Sequence, residues 1–216
     1  MIFNRAFIFS YNKEKISYKV IHDKYLYIKI LHFNKMTTLS LIDILHSSES
    51  SSTQGIILDL RDNPGGLLNQ AIEVVDLFVS NGIILSQRAQ DRKNVTKYKA
   101  TSAKTISDLP LVILVNSKSA SSSEIVSGAL QDFKRATIIG EKTFGKGTIQ
   151  ILLPISKDKS EAIKLTIAKY YLPNGRLIDN KIIPDIEILQ NKDTNEKDDI
   201  QLISAINFLN SSSLDK

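Results

Sequence analysis

The chain has no cysteine and no tryptophan. Without cysteine there is no disulfide, no thiolate nucleophile and no cysteine-ligated zinc. Such a chain suits reducing and oxidising surroundings alike, so the redox compartment stays open. Long apolar runs are also missing. None approaches the ~18 residues of a membrane span. The N-terminal MIFNRAFIFSYNK is broken by Asn4 and Arg5 and lacks a small-residue cleavage site, so it does not read as a signal peptide. Histidine is scarce: His22, His32 and His46 all fall in the first quarter of the sequence. There is no internal repeat, no basic helix and no interleaving of aromatic with basic residues. The formal charge of +5 is spread along the chain as dispersed lysines, which reads as a solvated surface and not a nucleic-acid footprint.

What is present is a globular balance, 42% hydrophobic and 24% charged over 216 residues, enough for one large core or two modest ones. Two strands are expected at Ile16–Ile21 and Tyr25–Leu31, and an amphipathic helix at Thr37–His46. GIILDL (Gly55–Leu60) and LPLVILVN (Leu109–Asn116) are continuous apolar runs, the pattern of strands buried on both faces. Each leads into a turn and then a helix, Leu68–Val79 and Ser122–Phe133. Further strands are expected at Gly82–Leu85 and Ala136–Gly140, and a β-pair at Thr148–Leu153 with Ile163–Tyr171. Pro173–Gly175 reads as a turn, Lys192–Asp199 as a charged loop and Ile200–Leu209 as a terminal helix. Repeated strand–turn–helix units imply an α/β domain with antiparallel strands at both ends.

Three segments have the makings of chemistry. RDNPGG (Arg61–Gly66) follows a buried strand. Its two glycines open backbone conformations closed to other residues, and backbone N–H groups there can converge on an oxyanion. Taken alone it reads first as an ordinary strand-to-helix turn. SKSASSSEI (Ser117–Ile125) places serines at 119, 121, 122 and 123 where a helix begins. A serine there is commonly an N-cap, yet a helix N-terminus also favours developing negative charge. GEKTFGKGTIQ (Gly140–Gln150) sets Lys146 between two glycines. It nearly matches a phosphate-binding loop, but Gly147 stands where that loop needs Ser or Thr for magnesium. No histidine follows either turn, so nothing in the sequence points to a Ser-His-Asp triad. A lysine base is the alternative. It must be neutral, which burial promotes, and Lys146 beside the apolar TIQILL could be buried. Gln150, four residues on, would share its face if both lay on one strand.

In order along the chain, GIILDLRDNPGG, LVILVNSKSASSSEI, IIGEKTFGKGTIQ and KLTIAKYYLPNGRLIDNKIIPDIEI resemble the C-terminal processing peptidases, or tail-specific proteases. The resemblance runs from about residue 15 to about residue 190. It implies a crotonase/Clp-like spiral α/β core, a polypeptide substrate and no cofactor or metal. It implies Ser121 as nucleophile, Lys146 as general base and Gln150 as its partner. Oxyanion donors would be the N–H of Gly65 or Gly66 and that of Ser122; Glu124, Asp132 and Thr143 would support the site. Ser122 departs from the family's usual alanine. The family's N-terminal helical segment and PDZ domain have no counterpart before Ile16. The expected organisation is an N-terminal extension (1–15), a peptidase core (16–190), and a charged loop with a C-terminal helix (191–216). A homo-oligomer or an adaptor partner is compatible with this reading. The resemblance implies the bacterial cell envelope or periplasm, with retention in the cytoplasm as the alternative that the missing signal peptide leaves open. Two rivals remain: a catalytically inactive core serving as a binding or scaffold module, and a crotonase-type acyl-CoA enzyme. The latter would leave SASSSEI and FGKGT unexplained.

Overall fold

The computed structural model describes residues 16–48, 53–89, 94–101, 106–155, 162–190 and 198–212. Six strands form a mixed sheet in the order β1-β2-β3-β6-β7-β10. Its members are β1 (Ile16–Ile21), β2 (Tyr25–Ile30), β3 (Gly55–Asp59), β6 (Leu111–Val115), β7 (Ala136–Gly140) and β10 (Ile186–Glu187). Only β1 runs antiparallel; from β2 to β10 every pairing is parallel. The apolar runs GIILDL and LPLVILVN become the two central strands, buried at every position.

Both faces of this sheet are covered. On one lie α1 (Thr37–Ser48), α2 (Leu68–Asp76) and α3 (Ser122–Asp132). Leu41, Val74, Val75, Ile125 and Ala129 of these helices share a core with Ile28, Ile56, Leu58 and Ile113 of the strands. On the other face α4 (Ile200–Ser212) presents Leu202, Ala205 and Leu209 to Ile57, Val112, Leu114 and Ile139. Alternate strand residues thus serve opposite layers, as the pleat requires.

A second, antiparallel sheet has the order β5-β4-β9-β8, built from β4 (Ile83–Ala89), β5 (Val95–Lys99), β8 (Thr148–Pro154) and β9 (Ala162–Tyr171). Two of its features went unforeseen. β5 (VTKYK) is almost wholly exposed, so no burial pattern marks it. β4 runs on to Ala89, past its apolar start, because β5 and β9 pair its polar end. The N-terminal extension lies outside the described residues, as does most of the charged loop before α4.

Candidate active site

The chemistry-bearing segments meet at the C-terminal ends of the parallel strands. β3 delivers the glycine turn, β6 the serine cluster and β7 the lysine loop. The first two turns are fitted backbone to backbone. A side chain at Gly65 would lie 2.8 Å from the Ala120 carbonyl and 2.9 Å from Ser121 Cβ, so only glycine admits the contact. Gly66 is clamped to the chain after β2: Leu67 N–H donates to the Phe33 carbonyl and Phe33 N–H to the Gly65 carbonyl. The Gly66 φ of +147° suits glycine, and a Cβ there would sit 2.1 Å from the Phe33 oxygen.

The organiser of this junction is Asn63, fully buried, which the sequence reading passed over. Its side chain donates to the Ile30 carbonyl at 2.8 Å and accepts from Gly65 N–H at 2.8 Å. Its carbonyl accepts from Ala120 N–H at 3.0 Å and from the Ser123 hydroxyl at 2.9 Å. An asparagine bonding to the backbone two residues on is a known turn device, and that was the available signal.

The four serines separate by role. The hydroxyls of Ser119, Ser122 and Ser123 donate to the carbonyls of Leu60, Gly66 and Asn63. They stitch the serine turn to the glycine turn. Ser121 alone of the four donates its hydroxyl to no acceptor among the described residues. It occupies the N-cap position of α3, but at φ 56° and ψ −111° and not in the extended conformation of ordinary caps. A non-glycine residue held there is strained, and such strain concentrates at functional sites. Two backbone donors beside it, the N–H groups of Gly66 and Ser122, have no acceptor among the described residues; that of Gly65 is taken by Asn63.

Glu124 ties the lysine loop to this pair. It is fully buried, and each carboxylate oxygen takes two donors. Oε1 accepts from the Thr143 hydroxyl and from Gly145 N–H, both at 2.6 Å. Oε2 accepts from Ser121 N–H and Lys146 N–H, both at 2.8 Å. One carboxylate therefore holds the backbones of Ser121 and Lys146 together. Thr143 is held in turn by Ile182 N–H on its hydroxyl at 2.8 Å. Asp132 works at a distance, pairing with Arg176 at 2.9 Å and accepting from Asn174 N–H at 3.0 Å.

The side chains of Lys146 and Gln150 are placed otherwise than the strand argument expects. Lys146 is exposed, not buried. It also precedes β8, so it shares no strand face with Gln150. Gln150 is exposed too, and its amide donates to the Thr166 hydroxyl at 3.3 Å. No hydrogen bond among the described residues joins Ser121 Oγ to Lys146 Nζ.

Beneath the glycine turn lies a buried ionic cluster that sequence reading also missed. Arg61 Nη2 lies 2.7 Å from Asp59 and 2.8 Å from Asp199. Its Nη1 also donates to Gln201 at 3.1 Å. Burial opposes the Arg61 charge, but these carboxylates outweigh it and raise its pKa. Burial pushes Asp199 up, yet the Arg61 hydrogen bonds and the Leu202 N–H hold it below the usual carboxylate range. Burial and the neighbouring Asp59 keep the Tyr27 phenol protonated.

The matching protein-family model is Peptidase family S41, over residues 24–188. This chain belongs to that family. It is 41% identical over 169 residues to a carboxy-terminal-processing protease of Bartonella bacilliformis, covering 76% of this chain and 38% of that protein. It is 38% identical to the carboxy-terminal processing protease CtpA of Bacillus subtilis, over 71% of this chain and 32% of that protein. Among solved structures, a photosystem II D1 C-terminal processing protease superposes with a TM-score of 0.71 at 29% identity, covering 80% of this chain and 48% of that one. The chain thus spans about a third of the length of the curated relatives. The family consists of serine peptidases of carboxy-terminal processing type, and the α/β fold with mixed sheets is the fold of its solved members. Among the described residues no cluster of histidine, aspartate or glutamate could hold a metal ion, and no helix is long and apolar enough to cross a membrane.

Proposed function

We propose that this core hydrolyses peptide bonds of polypeptide substrates, near their C-termini, with Ser121 as nucleophile and Lys146 as general base. The observation that carries the reading is the Glu124 carboxylate, which fastens the backbones of Ser121 and Lys146 to one oxygen, Oε2. The strained Ser121 and the unclaimed N–H groups of Gly66 and Ser122 support it further.

In this mechanism neutral Lys146 takes the Ser121 hydroxyl proton as Oγ attacks the scissile carbonyl. The oxyanion accepts from Gly66 N–H and Ser122 N–H; one such donor is worth roughly 10²–10³ in rate. Lys146 then protonates the departing amine, leaving an acyl-serine. Water, deprotonated by the same lysine, releases the acid and restores Ser121. A lysine base must be withdrawn from water. Lys146 is exposed here, so the proposal includes its covering by substrate or by a further segment, with Gln150 leaving Thr166 to orient it. Thr143 and Asp132 act as supports. The setting this reading takes over from the resemblance is the bacterial cell envelope.

The exposure of Lys146 and the Gln150–Thr166 bond favour one competing reading, a core that keeps the fold without assembling the site. The test is cleavage of an unfolded protein with an apolar C-terminus by wild type, Ser121→Ala and Lys146→Ala. Cleavage by wild type alone is expected. Cleavage that survives Ser121→Ala would overturn the assignment, and no cleavage by any of the three would favour the scaffold.

A further inference from the structure

On the second sheet, β4 and β9 pair with Arg88 directly opposite Lys169. Two like charges facing each other across a ladder destabilise it unless something answers them. Asp179 answers Lys169, at 3.1 Å. Among the described residues no carboxylate answers Arg88. Its guanidinium instead lies 4.0 Å from the centre of the Tyr171 ring, a cation–π contact that uses the face of the guanidinium carbon and none of its N–H donors as an ion pair would. Lys97 on β5, opposite Ser86, adds a third cation along the same rim without an ion pair among the described residues.

These groups border a cavity of about 280 Å³, whose walls include Thr166, Ala168, Tyr171 and Leu177 with Arg88 and Lys169. Ligand pockets begin near 300 Å³, so this one suits a single side chain or a chain end. It is wired to the lysine loop. Asp179, the partner of Lys169, accepts from Gly147 N–H at 2.9 Å. Tyr170 N–H donates to the Gly147 carbonyl at 2.9 Å. Thr166 accepts from Gln150. The pocket therefore adjoins the residue after the proposed base and the residue proposed to orient it.

We propose that this pocket is a subsite for a carboxylate of the polypeptide substrate, bound by the Arg88 fork with Lys169 beside it and Leu177 and Tyr171 against the neighbouring carbons. The inference rests on the peptidase reading for the kind of anion, since the anions of an unmodified polypeptide are its terminal and side-chain carboxylates. An occupant there would draw Thr166 or Gln150 into its own hydrogen bonding, which links filling of the subsite to release of Gln150.

The experiment measures binding of a short fluorescein-labelled apolar peptide to the full chain by anisotropy. The peptide is used with a free C-terminus, with an amidated C-terminus, and amidated with one internal Glu or Gln. The free acid is expected to bind about fivefold more tightly than the amide at low salt, and Arg88→Gln is expected to erase that difference while leaving amide binding and the circular dichroism spectrum unchanged. A preference for internal Glu over Gln, erased by the same substitution, assigns the subsite to a side chain. Equal binding of all four peptides by wild type, or a preference that persists in Arg88→Gln, overturns the proposal. Cleavage without acid preference would sink the subsite and spare the peptidase. Acid preference without cleavage would do the reverse.

Discussion

The two halves of the candidate site are built differently. The half around Ser121 rests on β3 and β6, strands with no exposed residue, and its turns satisfy one another through Asn63, Ser119, Ser122 and Ser123. The half around Lys146 lies between β7 and an edge strand, and its inward ties run chiefly through one carboxylate, Glu124, and one hydroxyl, Thr143. One half is fixed by folding; the other is tethered by its backbone, with the Lys146 and Gln150 side chains exposed. Preorganisation thus favours the proposed oxyanion donors and nucleophile, and the proposed base has the freedom to be recruited.

The sharpest way to break this contrast is Gly66→Ala. The new Cβ meets the Phe33 carbonyl at 2.1 Å and the backbone cannot easily retreat. A loss of roughly 3–4 kcal/mol in urea denaturation is expected, with loss of any cleavage. Glu124→Gln comes next. Whichever way the amide turns, its NH₂ faces two donors that now lack an acceptor, for about 2–3 kcal/mol. If the tether is as described, limited proteolysis should then cut at the lysine loop before it cuts at the serine turn.

A pH series sharpens the comparison from below. The folded Asp199 pKa is depressed, so its contribution is full above the unfolded value of about 3.9 and fades as pH falls through the folded value. Thermal midpoints should drop below about pH 4, and Asp199→Asn should show a shallower drop. Ser121→Gly relieves the positive φ and should gain about 1 kcal/mol while removing the proposed nucleophile. Lys146→Ala should shift stability by under about 0.5 kcal/mol because the side chain is exposed. A large loss there would show that the lysine is packed in solution and the contrast is false.

How much of this the sequence disclosed follows the same divide. Central strands announce themselves because burial on both faces demands unbroken apolar runs, and β3 and β6 fell where GIILDL and LVILV predicted. The edge strand β5, almost wholly exposed, bears no such mark, and the two residues of β10 are too few to show a period. At the site, the resemblance named Ser121, Lys146 and Glu124, but residue types alone could not reveal that Glu124 receives four donors from two segments, the serine turn and the lysine loop. Asn63, Arg61 and Asp199 escaped notice because, beside one near partner each for Asn63 and Arg61, the partners that give them their place are remote in the chain. Lys146 is exposed where its apolar neighbours allowed burial: it lies in the loop before β8, which begins at Thr148 as expected.

The clamp between Arg61 and Asp199 spans 138 positions of sequence. On the ribosome, Arg61 emerges long before its second carboxylate, and domains take shape as the chain is made. The foot of the glycine turn therefore has only its Asp59 contact until the chain has been made as far as Asp199. A nascent or prematurely terminated chain ending before Asp199 would carry the complete serine and lysine motifs while lacking that second fastening, so completion of the candidate site is tied to completion of the fold around it.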